Sequence, residues 1–260
     1  MATILPEEIP QQAAAVLKGD AYYNVDEDFS RYLGHSFQPE VEAIFRRLLC
    51  THGPVRRILD VGCASGRTSA FCKSLGVEEL VGIEIDPRAA AIARQHLDDV
   101  VLGDASTVEL SYPDEHFDMI WFTDLLEHLV DPWAALRRFQ RWLRPGGRVL
   151  VVLPNFGHLD IINMIVSGRL QYSERGLMDS GHLRIFNQVT GIELIEGAGL
   201  RIERVDYRLD SAWEEHREGP IPLVAGAGYL HLDPAVVPDA LRQTLFVRKL
   251  HYLAVKQEIS

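Results

Sequence analysis

Residues 58–66 read ILDVGCASG, a short apolar run of strand length that ends in a glycine-containing turn. TSAFCKSLG follows at 68–76 and reads as a helix closed by Gly76, so the segment predicts strand, turn and helix in succession. Such a turn aims backbone amides and the positive end of the helix at whatever lies above the strand. Gly62 lets backbone and ligand approach closely. A dinucleotide fingerprint, G-x-G-x-x-G, needs glycines at 64 and 67, where Ala64 and Arg67 stand, and this weakens a nicotinamide reading.

Working outward, the pattern repeats. ELVGIEID (79–86) gives a second strand, and Asp86-Pro87 supply the N-cap and first residue of an alanine-rich helix, RAAAIARQHL. VVLGDA (100–105) and HFDMIWFTD (116–124) are the third and fourth strands. WAALRRFQRWL (133–143) reads as a helix with Trp133, Leu136, Phe139 and Leu143 on one side, stopped by Pro145-Gly146-Gly147. RVLVVLPN (148–155) is a fifth strand, apolar enough for burial on both faces. QVTGIELIEGAGL is a helix ending at Gly199, RIERVDYRL a strand, and HYLAVKQ a last strand. Upstream, Val41, Ile44, Phe45, Leu48 and Leu49 form a helical face that opens with Pro39.

Alternating strands and helices predict an α/β fold, a Rossmann-like doubly wound sheet of about seven strands, mostly parallel, whose ligand site lies at the carboxyl ends of the strands. Residues 1–52 are expected as an N-terminal helical cap and 53–260 as the core, interrupted by insertions at about 154–186 and 211–250. At 260 residues, one large core is expected rather than two independent domains.

Twenty-six basic against thirty-seven acidic residues give a net charge of -11, which disfavours a phosphate backbone as partner. The longest apolar runs fall far short of the ~20 residues that span a bilayer. MATILPEEIPQQ carries acidic residues where a signal peptide carries basic ones, so a cytoplasmic protein is expected, with no nucleic-acid or membrane partner. A homodimer is compatible with these features. Cys50, Cys63 and Cys72 lack CxxC spacing and are odd in number, against a disulfide framework or a zinc site. No metal is expected. Cys63, inside the glycine turn, reads as a space-filling thiol rather than a nucleophile.

Asp60-Val-Gly62-Cys-Ala-Ser-Gly66 resembles the D-x-G-x-G-x-G first motif of class I S-adenosylmethionine-dependent methyltransferases, departing at Ala64. The stretch from PDEHFDMIWFTD through LEHL and LRPGG to PN, residues 113–155, is similar to the FD-strand-EHL-helix-LKPGG-strand-PN signature of the family. It resembles in particular the branch with ubiquinone-pathway O-methyltransferases and bacterial methyltransferases of secondary metabolites and surface sugars, over about residues 55–210. The resemblance implies S-adenosyl-L-methionine as cofactor, a small-molecule acceptor on the side of the two insertions, and methyl transfer, with oxygen as the expected acceptor atom. It also implies cofactor contacts from Asp60, Gly62, Cys63, Ala64, Gly66, Glu84, Ile85, Asp104, Ala105 and Thr123.

Within that set, Glu84 ends the second strand, where a carboxylate can accept from vicinal ribose hydroxyls, while Asp86 is more simply an N-cap. The resemblance puts Asp104 on the adenine amino group and the next amide, Ala105, on a ring nitrogen; the bland alternative is a turn. Nitrogen or carbon acceptors, and a protein that holds the cofactor without turnover, remain open. Methyl transfer from a sulfonium asks the protein to align the acceptor, exclude water and accept a proton. His128, His158 and His182 lie near the expected cleft. His182, in a segment resembling RG-x-x-D-x-x-HLR-x-F of related bacterial enzymes, leads as general base and His128 follows; loop anchoring by His182 and Arg184, and packing of His128 under Glu127, are the structural alternatives. Tyr22 and Tyr23 are expected in a lid or in the core.

Overall fold

The computed structural model describes residues 43, 46–47, 54–210, 212–218, 221–225, 228–232 and 237–257. Most of the expected cap, with the 39–50 helix apart from those three positions, Tyr22, Tyr23 and Cys50, lies outside the described residues. Five strands come first, with helices between all of them except β3 and β4: β1 (Arg57–Val61), α1 (Arg67–Ala70), β2 (Glu79–Glu84), α2 (Pro87–Ala93), β3 (Asp99–Leu102), β4 (Phe117–Thr123), α3 (Pro132–Phe139) and β5 (Leu143–Pro154). Then come α4 (Leu159–Val166), α5 (Gln188–Gly197), β6 (Leu200–Leu209), α6 (Trp213–His216), a hairpin of β7 (Ile221–Ala225) and β8 (Gly228–Leu232), α7 (Asp239–Thr244) and β9 (Val247–Lys256).

The main sheet has seven strands in the order β3-β2-β1-β4-β5-β9-β6. β1 to β5 pair in parallel, and β9 is antiparallel to both β5 and β6. The doubly wound, mostly parallel sheet read from the sequence is therefore the observed one. Its two faces are legible residue by residue, because neighbours along a strand point to opposite sides. Leu59, Phe122 and Tyr252 enter one apolar core with Phe139 and Trp142; Ile58, Trp121 and Leu253 enter the other with Cys72 and Leu80. Val149 to Leu153 are all nearly fully buried, as befits a strand covered on both faces.

Helix ends follow their sequence chemistry. Asp86 caps α2 by accepting from the Arg88 amide at 2.8 Å, with Pro87 at the first position, and Ala89, Ala90 and Ala93 bury completely against the sheet. Asn187 and Thr190 form a reciprocal capping box at α5. Gly191 of α5 leaves room for Tyr252, whose hydroxyl donates to the Gln188 carbonyl at 3.2 Å; a Cβ there would lie 2.4 Å from that oxygen.

Four details differ from the sequence expectation. Both the 68–76 and the 133–143 segments finish as 3-10 turns, Phe71–Leu75 and Gln140–Trp142, the tighter winding common at helix ends. Pro145 to Gly147 lie within the span of β5 instead of stopping a helix, and α5 ends at Gly197, two residues before Gly199. Trp133 does not share a face with Leu136 and Phe139: it is 37% exposed, while Pro132, Ala135, Leu136 and Phe139 are buried. That i, i+3, i+4, i+7 set places Trp133 on the solvent side.

The irregular segments 154–186 and 211–250 contribute to a common third core, with Leu159 packing among Ile221, Val237, Leu245 and Phe246. Asn155 ties them to the sheet: its Nδ2 donates to the Thr244 and Val247 carbonyls at 2.9 and 2.8 Å, and its Oδ1 accepts from the Gly157 amide. Among the described residues, no helix is long and apolar enough to cross a membrane.

Candidate functional site

The carboxyl ends of β1, β2, β3 and β4 bring the motif residues to one edge of the sheet. Gly62 turns the chain with φ +77°, and its amide and that of Cys63 both donate to the Ile83 carbonyl of β2, at 2.9 and 3.0 Å. Ala64 also has positive φ, 49°, so the residue replacing the middle glycine adopts the glycine's left-handed conformation at a cost of about 1 kcal/mol. Gly66 packs on α2: a Cβ there would meet Leu97 at 2.9 Å and the Ala93 backbone at 3.2 Å. Cys63 fills the space above Gly82, where an added Cβ would lie 2.5 Å from its sulfur. Burial, then the nearby Asp60 carboxyl, pushes the Cys63 thiol upward, consistent with a packing role.

Glu84 closes this turn. It is only 5% exposed; one carboxylate oxygen accepts from the Ala64 amide at 2.9 Å and the other from the Asp86 amide at 2.8 Å. Burial raises its pKa, and these amides oppose the rise. Each oxygen keeps a second lone pair for a hydroxyl donor. Both Asp86 oxygens instead engage Arg88, as an N-cap and an ion pair. The Glu84 carbonyl accepts from the Gly103 amide at 2.9 Å, which sets the turn at Asp104. Asp104 Oδ1 accepts from the Ser106 amide at 2.7 Å, so the turn role is realised with one oxygen. Arg138 of α3, which sequence reasoning missed, supports this turn by donating to the Ala105 and Val108 carbonyls.

Beneath the turn, Asp60 is 1% exposed and its Oδ1 has no hydrogen-bond partner among the described residues. Burial, opposed by a hydrogen bond from Ser69 and reinforced by Glu84, pushes its pKa up to about 7. An orphaned carboxyl oxygen below a glycine turn, with the Glu84 carboxyl beside it, fits a cationic ligand better than a neutral or anionic one.

Leu125 links this turn to the histidines. It lies against Gly62, where an added Cβ would sit 3.0 Å from its Cδ1, and its carbonyl accepts from the His128 amide. A 3-10 turn over Leu126–His128 then presents Glu127 and His128. The Glu127 carbonyl, not its carboxylate, accepts the amides of Leu183 and Arg184, each at 2.9 Å, and so draws the 177–184 loop against β4. His182 Nδ1 meets the Leu177 carbonyl at 3.1 Å and His128 Nδ1 meets the Gly181 carbonyl at 2.9 Å; the two rings stand edge to face, 4.9 Å apart. Burial and then the adjacent His128 lower the His182 pKa, which favours the neutral imidazole. Arg184 anchors the loop by donating to the Val130 carbonyl and lies over the Trp133 ring.

Thr123 ends β4 and Asp124 follows it, and Ile85 follows β2 half-buried. Burial opposes ionisation of Asp124, yet the paired Lys249 ammonium of β9 holds its carboxyl below the usual range. His158 is placed otherwise than the sequence reading: it caps α4, its Nδ1 accepting from the Asp160 amide at 3.1 Å, 2% exposed beside Asp210 and Asp160.

Residues 59–151 match the family model described as a methyltransferase domain. Over 99 residues the chain is 34% identical to the 27-O-demethylrifamycin SV methyltransferase of Amycolatopsis mediterranei, covering 36% of this chain and 36% of that protein. Over 100 residues it is 35% identical to the ubiquinone biosynthesis O-methyltransferase of Alkalilimnicola ehrlichii, covering 36% of this chain and 40% of that protein. The alignments thus span well under half the length of these relatives. The fold is similar to a crystal structure of a SAM-dependent methyltransferase from Archaeoglobus fulgidus, with TM-score 0.60, 19% identity and coverage of 84% of this chain and 93% of that one. Residues 59–151 thus carry a methyltransferase domain, and the strand order and overall fold are similar to those of S-adenosylmethionine-dependent methyltransferases.

Proposed function

We propose that this protein transfers a methyl group from S-adenosylmethionine to an oxygen of a small molecule, as a cytoplasmic enzyme of small-molecule biosynthesis. The observation that carries the reading is Glu84 at the end of β2, which clamps the Ala64 amide of the glycine turn inside the matched methyltransferase domain. When bound, the cofactor supplies an electrophilic methyl on a sulfonium. The Gly62–Gly66 turn cradles it, Glu84 accepts ribose hydroxyls with its remaining lone pairs, and Asp104 takes the exocyclic amine with its second oxygen. Ile85, Ala105 and Thr123 complete the contact surface, and segments 154–186 and 211–250 shape the acceptor side. His182 donates Nδ1–H to Leu177 and keeps an Nε2 lone pair with which to accept the acceptor's proton. His128, with its Nδ1 on Gly181, is the second such lone pair.

Two binding measurements test the cofactor half. Glu84→Ala is expected to weaken S-adenosylmethionine by ~2 kcal/mol, since a charged acceptor and the clamp on Ala64 are lost together; an unaltered dissociation constant by calorimetry moves the ribose role elsewhere. Asp60 supplies a pH test with a definite sign. Its carboxyl, near pKa 7 in the free protein, is expected to ionise when a cationic ligand occupies the turn, so binding releases a proton and tightens as pH rises. Between pH 6 and pH 8 the ionised fraction grows about tenfold, and affinity should follow; a flat profile would show that the ligand's charge does not reach Asp60.

The same scaffold serves nitrogen and carbon acceptors, and proteins that hold the cofactor without turnover. Detection of S-adenosylhomocysteine formed in the presence of a panel of hydroxyl, amine and enolisable acceptors decides among them. No product with any class would leave a cofactor-binding protein.

A further inference from the structure

We propose that Glu127, His128 and His182 form a binding site for one divalent first-row transition-metal ion. The site departs from the metal-free expectation and stands whether or not methyl transfer occurs. One candidate ligand atom from each residue lies within 4.8 Å of the others, and His182 Nε2 is 4.0 Å from Glu127 Oε1. Bonds of about 2.0–2.2 Å to each would need ligand atoms roughly 3–3.5 Å apart, a closure within reach of small side-chain rotations.

Hydrogen bonding sets the protonation of both rings. A carbonyl oxygen only accepts, so the contacts of His182 Nδ1 with Leu177 and of His128 Nδ1 with Gly181 place the proton on Nδ1 in each neutral imidazole. Each Nε2 then carries a lone pair, and each ring is oriented by an outer hydrogen bond of the kind that supports metal-ligating histidines. Glu127 provides a second, independent observation. Its carboxylate is 1% exposed, and neither oxygen has a hydrogen-bond partner among the described residues.

The His182 Nε2 lone pair thus faces a buried, unpartnered carboxylate beside the His128 ring, an arrangement that needs a cation or a proton between the groups. Asp124 does not fill the gap, being paired with Lys249. Two nitrogens and one carboxylate suit zinc, cobalt, manganese or iron(II), with coordination positions left open; magnesium and calcium prefer oxygen sets. The rival is a proton on Glu127 shared with His182.

The experiment is calorimetric titration of the chelator-stripped full chain with ZnCl2 and, as the oxygen-selective control, MgCl2, with visible absorption of CoCl2-loaded protein as a second readout. One equivalent of zinc should bind, with nitrogen-ligated cobalt bands. Glu127→Gln and His182→Ala should each lower zinc affinity by about 100-fold or more, since outer hydrogen bonds alone are worth 10–100-fold. Retained S-adenosylmethionine binding in both variants shows that they fold. No zinc uptake, or uptake unchanged in both variants, overturns the site and leaves the shared proton. Zinc binding without S-adenosylhomocysteine formation would keep this site and remove the methyl-transfer reading; methyl transfer without zinc binding would do the reverse.

Discussion

Gly62→Val is expected to abolish S-adenosylmethionine binding, because the substitution meets two independent obstacles at one position. The residue holds φ +77°, a region that a β-branched side chain scarcely enters. Its new Cβ would also stand 3.0 and 3.3 Å from the two δ-carbons of Leu125 before the valine methyls are counted. Relief requires the 62–66 turn or the Leu125 segment to move. Moving the turn strips the Ile83 and Glu84 bonds that aim the amides; moving Leu125 displaces the turn that carries Glu127 and His128. Strain of this kind costs about 1–3 kcal/mol before the steric contact is added, so a loss of affinity beyond ~100-fold is expected by calorimetry. Gly76→Ala is the control: φ there is +89°, but nothing lies within 4 Å of an added Cβ. It should cost stability and leave affinity intact. Unchanged affinity in Gly62→Val would sink the assignment of this turn to the cofactor.

The control matters because much of the site was legible from local chemistry, and local chemistry alone does not tell a strained turn from a binding turn. Strand alternation, the Asp86-Pro87 cap and the glycines are encoded within a few residues of where they act, so the sheet and the place of Glu84 at the end of β2 could be read from sequence, while its bond to the Ala64 amide 20 positions away could not. Trp133 was misplaced despite an available signal: Asp131-Pro132 repeats the cap pattern of Asp86-Pro87, and counting from it gives the buried set 132, 135, 136 and 139. Other features had no local signal. The Asp124–Lys249 pair joins residues 125 positions apart, and Asn155 reaches carbonyls about 90 positions away. Arg138 supports the turn at Asp104 across 30 or more positions. His158 illustrates the opposite hazard: it shares a residue type and a neighbourhood with His182, and only the Asp160 amide shows that its lone pair is already used.

His182→Ala is where those lone pairs become measurable, with an expected fall in turnover of ~100-fold or more and retained cofactor binding. The histidine has two separable duties. Nδ1 holds the 177–184 loop through the Leu177 carbonyl, and Nε2 faces Glu127. Alanine removes both, so the fall by itself does not choose between them. The loop, however, keeps its other anchors: the Leu183 and Arg184 amides on the Glu127 carbonyl, and the Arg184 guanidinium on Val130. With these in place, the cavity left by the ring can admit free imidazole. Partial recovery of turnover by added imidazole is expected if the Nε2 electron pair is what transfer needs, whether it takes the acceptor's proton or holds an ion. A purely structural histidine would show no such rescue, and full activity in the alanine variant would confine His182 to anchoring the loop.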